Sequence, residues 1–182
     1  SAHIQNLEKI KKVVMDRLLL ELDAIAKGGE NLRSSSLSAV DVAETLCGHA
    51  IRISREGSEG EIADTISLLF TSTHPPCALS FLTTSVSTDA RNVDMGTARM
   101  KLCQMFDEFI REVGKKQIGE AARIVDVLSK VFRSEMTSKF KCAVLKPLQT
   151  IAELGMIHVD STNVTELIEW LFEDYSTGKT GT

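Results

Sequence analysis

Four histidines and four cysteines hold the most direct chemistry in this sequence: His3, His49, His74 and His158, and Cys47, Cys77, Cys103 and Cys142. A structural zinc site shows its thiolates and imidazoles as close pairs along the chain. Here the cysteines stand 30, 26 and 39 residues apart, with no CxxC or CxxH pair. No two histidines lie one helical turn apart, and no HExxH occurs. The sequence therefore predicts no metal and no cofactor. Cys47 with His49, and Cys77 with His74, are the two places where an imidazole near a thiol would activate it. The neighbours argue otherwise, because Leu46-Cys47 and Leu102-Cys103 place thiols in apolar company, where cysteine is a small buried hydrophobe.

Paired carboxylates are the next chemistry. Glu108 and Glu112 are four residues apart, as are Glu169 and Glu173, so each pair shares one helix face. Such a face can bind metal or exchange protons, but a solvated surface has the same pattern, and no ExxH partner completes a di-metal set. Gly178-Lys179-Thr180 resembles the end of a phosphate loop, yet Glu173 occupies the position of its first glycine and no helix follows. There is no GxSxG elbow. With no catalytic constellation assembled, the chain is expected not to be an enzyme.

Charge is distributed unevenly. Residues 115–146 carry eight cations (Lys115, Lys116, Arg123, Lys130, Arg133, Lys139, Lys141 and Lys146) against Glu120, Asp126 and Glu135. That segment is +5 in a chain of net −4, which leaves −9 on the rest. Lys116, Arg123 and Lys130 recur every seven residues, so they share one helix face, and Arg133, Lys139 and Lys141 extend the basic run. This stretch is the expected partner-binding surface. It would steer an acidic protein or peptide, or, in the alternative reading, contact the phosphates of a nucleic acid. A helix ending at Gly155, followed by Met156-Ile157-His158-Val159, also matches the way a winged-helix unit enters its wing. The helical pattern after Thr162, where a returning strand is needed, counts against that alternative. So does the overall acidity, since nucleic-acid-binding domains are usually basic.

The elements that would position these residues read as helices throughout. Apolar residues at Ile4, Leu7, Ile10, Val14, Leu18, Leu22 and Ile25 step by three and four over 4–26. Gly28-Gly29 would stop that helix, and Ser34-Ser35-Ser36 would form a loop. Ser38 caps a second helix over 39–55, which turns inward Val42, Leu46, Ala50 and Ile53. Gly57-Ser58-Glu59-Gly60 reads as a turn before a third helix over 61–70, whose inner face holds Ile62, Ile66, Leu69 and Phe70. His74-Pro75-Pro76 breaks the chain. Residues 77–93 are ambiguous: Ala78, Leu79, Phe81, Leu82 and Val86 fit a short helix, while the Ser and Thr content disfavours one. Asp94 is the expected cap of a helix over 95–113, ended by Gly114. Further helices are expected over 118–133, 138–154 (with Pro147 inside) and 164–175.

The fold expectation is thus all-α: seven to eight helices as an irregular bundle, or a short HEAT- or armadillo-like stack, since successive helix pairs span roughly 35 to 50 residues. Residues 1–175 read as one domain and 176–182 as a flexible tail. Composition agrees, with 43% apolar, 25% charged and only 5% aromatic residues. Scarce aromatics weaken any base-stacking role. No stretch approaches the roughly 18 apolar residues of a membrane span. Ser1-Ala2-His3 reads as a trimmed start with no signal peptide, and the thiol usage suggests an intracellular setting, cytoplasmic or nuclear. The expected role is a non-enzymatic scaffold or adaptor that presents a helical groove to a partner.

Overall fold

A computed structural model describes residues 2–27, 38–83, 92–116, 124, 146–147, 149–154 and 169. Among them there are helices and turns but no strand. The order is α1 (Ala2–Ala26), α2 (Ala39–Glu56), α3 (Glu59–Ile66), a π-helical turn (Ser67–Thr71), α4 (Ala78–Thr83) and α5 (Asn92–Lys115). Helical backbone recurs at Ile124, Lys146, Pro147, 149–153 and Glu169. The expected helices over 118–133, 138–154 and 164–175 otherwise lie outside the described residues. So do Gly28-Gly29, the serine loop, the Met156–Val159 piece and the tail.

The starts of α2 and α3 are set by the same local chemistry. Ser38 Oγ accepts the amide of Asp41 while the Asp41 carboxylate accepts the amide of Ser38, and Ser58 with Glu61 repeats this reciprocal cap. Each box satisfies amide groups that an uncapped helix leaves bare. The expected turn at Gly57–Gly60 is therefore shorter than its composition suggests: Ser58 is the cap, and Glu59 and Gly60 already lie in α3. At the far end the helix widens by one residue. Ser72 N donates to Ser67 O at 2.7 Å, a five-residue step that rotates Leu68, Leu69 and Phe70 into the core. The short helix in 77–93 is present as α4, which buries Ala78, Leu79, Phe81 and Leu82.

The core is centred on α5, with α2 as its main neighbour. Leu102, Phe106, Phe109, Ile110 and Val113 meet Val42, Ala43, Leu46 and Ala50, and all nine are fully buried. Small residues on α2 let the two backbones approach closely, which leaves the bulk to α5. Phe70 packs at a tilt of 46° against Phe106 with ring centroids 4.9 Å apart and reaches Phe109 at 6.4 Å, so the π-helical turn is keyed into α5. Arg99 ties α4 to α5: its Nε donates to the Phe81 carbonyl at 3.1 Å and its guanidinium lies over the Phe81 ring.

Two expectations need correction. The α5 backbone is helical from Asn92 through Lys115, so Asp94 sits inside the first turn and Gly114 inside the last. Both ends lie within three residues of the signals, and a glycine in the last turn costs only about 1 kcal/mol, too little to stop a helix alone. On α1 the expected stripe holds only in the second half, where Leu22 is buried and Leu18 and Ile25 pack against the core beside buried Met15, Leu19 and Ala26. Leu7 and Ile10 of the stripe are instead 53% and 59% exposed, as are Val13 and Leu20 at 65% and 47%. The run Leu18-Leu19-Leu20 is apolar in three directions, so its own pattern does not choose a face. Only the second half of α1 reaches the core. The first half is held to α3 by ion pairs, Lys11–Glu61 at 2.8 Å and Lys12–Asp64 at 3.7 Å.

Candidate functional site

The close packing of α2 and α5 leaves an open groove of about 540 Å³ along their outer seam. Its floor is apolar, formed by half-buried Cys47 and Ile51 from α2 and buried Met105 from α5. Two ion pairs cross it: Glu44 with Lys101 at one end, and Glu108 with Arg55, at 2.5 Å, at the other. Between them lies Gly48. It is exposed, and a Cβ built there meets nothing within 4 Å. An interior helix glycine costs roughly 0.5–1 kcal/mol relative to alanine. Among the described residues, packing does not require one at 48. Arg52 and Glu56, one turn apart on the rim, make no ion pair among the described residues.

Cys47 Sγ donates to the Lys101 carbonyl at 3.7 Å, and burial pushes the thiol up to about 12, against a smaller opposing pull from the Lys101 ammonium. Burial lifts Cys103 to about 12 as well. Neither supplies a thiolate near neutral pH. His49 is two residues from Cys47, a spacing that turns the side chains to different sides of α2. His74 is exposed in the turn before α4, and Cys77 is half-buried beside it, its amide donating to Ser72 O at 3.1 Å. Among the described residues, no three His, Cys, Asp or Glu side chains are grouped as metal ligands. Glu108 and Glu112 share no task, since Glu108 faces Arg55 across the groove and Glu112 pairs with Lys115 at 3.0 Å. Glu169 is exposed, and Glu173 and Cys142 lie outside the described residues.

Of the basic residues singled out by spacing, the structure places one. Lys116 follows α5 and is exposed, and its Nζ donates to the Arg55 carbonyl at 2.9 Å. Its ammonium thus sits at the C-terminal end of α2, where a cation complements the unpaired carbonyls of a helix. That position is next to the Arg55 end of the groove. Arg123, Lys130, Arg133, Lys139 and Lys141 lie outside the described residues, so their shared face is not drawn by the structure. The groove itself was missed by the sequence reading. Its one local signal was Gly48 within an otherwise strong helical pattern.

Two other polar features have structural roles. Thr150, fully buried, donates its hydroxyl to the Asp107 carboxylate and accepts from Arg111 Nη2 at 3.0 Å, which fastens the 149–153 helix to α5. A second hollow of about 610 Å³ lies between α1 and α3. It is spanned by the Lys11–Glu61 and Lys12–Asp64 pairs and by the Ser58 hydroxyl donating to Glu8 at 3.4 Å.

No described helix is long and apolar enough to cross a membrane. The chain matches no protein-family model, no curated protein and no solved structure.

Proposed function

We propose that this chain is a non-enzymatic interaction domain that receives a segment of a partner protein in the groove between α2 and α5. The observation that carries this reading is Gly48: a helix glycine with no packing reason of its own, at the lip of an apolar floor. A bound segment would set an apolar side chain on Cys47, Ile51 and Met105 and bring its backbone close over Gly48. Arg52 offers a carboxylate of that segment its counter-charge. Lys116 and the basic residues after it (Arg123, Lys130, Arg133, Lys139 and Lys141) would add long-range steering of an acidic partner.

The test is a pull-down from cell lysate with and without nuclease, comparing wild type with Gly48→Leu, Gly48→Ala and the triple charge reversal Lys116→Glu, Arg123→Glu, Lys130→Glu. Gly48→Ala should stabilise the fold by about 0.5–1 kcal/mol in urea melts and keep the partner. Gly48→Leu should remain folded, because the space at position 48 is open, and lose the partner by filling the groove. A partner retained by Gly48→Leu overturns the groove. Recovery that collapses with nuclease, together with a steep loss of affinity in salt, moves the assignment to nucleic acid. Unchanged binding by the triple variant removes the steering role of the basic stretch.

A further inference from the structure

We draw no further inference here: the strongest candidate, the solvent-facing apolar stripe of Leu7, Ile10, Val13 and Leu20 along α1, is interrupted by Arg17, and nothing in the structure shows what covers it.

Discussion

Cys47 shows how a single residue changes meaning with its surroundings. Next to His49 in the chain it reads as a possible nucleophile. Within α2 its thiol is turned toward α5, bonded to a carbonyl and held neutral by burial. Iodoacetamide at pH 8 should therefore leave Cys47 and Cys103 unmodified in the folded chain and label both in guanidinium, as mapped by peptide mass spectrometry. Rapid labelling of either in the native state would contradict the burial described. Glu61 behaves in the opposite way. The Lys11 ammonium holds its carboxyl below the ordinary 4.5, with help from the Ser58 amide. The ion pair thus stabilises the fold fully above the unfolded value, and its contribution is lost as pH falls through the lower folded value. Glu61→Gln keeps the reciprocal cap, because glutamine also accepts from Ser58 N, but loses the charge pair. Its melting temperature should accordingly fall less than that of wild type between pH 5 and 3. An unchanged acid profile would mean that Lys11 and Glu61 contribute nothing measurable.

At the scale of elements, the start of α2 was readable because a cap is a local event. Ser38 was picked out from the residues around it alone. Ser58 carries the same signal, a serine with a glutamate three residues on, but the glycines on either side made it read as a turn. Ser58→Ala should cost about 1 kcal/mol in urea denaturation, since it leaves the amide of Glu61 without its acceptor. A loss below a few tenths would show that water satisfies that amide equally well. The ends of α5 were misjudged for a complementary reason. Asp94 and Gly114 are weak boundary signals, worth about 1 kcal/mol or less, and the helix runs past them to Asn92 and Lys115. The face of α1 was also beyond local reading, because Leu18, Leu19 and Leu20 point in three directions and only the position of α2 selects among them.

For the molecule as a whole, the decisive contact joins helices far apart in the chain. Phe106 lies at its centre, fully buried and packed at a tilt against Phe70, which links α5 to the π-helical turn that ends α3. Phe106→Ala should cost about 3–5 kcal/mol by urea denaturation. That is a large share of the 5–15 kcal/mol typical of a domain. A much smaller cost would mean that the neighbouring helices collapse into the space. The groove belongs to this scale too. It is lined from both helices, Cys47 and Ile51 coming from α2 and Met105 from α5.

The sequence by itself determined the all-α class, the helices now described as α1, α2, α3 and α5, the inward faces of α2 and α3, and the cap at Ser38. Each of these follows from periodicity or hydrogen bonding within a few residues, which a linear pattern records. It also marked Lys116, but not the place of its ammonium at the end of α2. The tertiary structure alone decided which face of α1 is buried, that α2 lies against α5, and that Cys47, Ile51 and Met105 share a floor beneath Gly48. Those depend on contacts between separate helices, Cys47 and Lys101 being 54 positions apart, and local periodicity holds no information about which distant helix will be the partner.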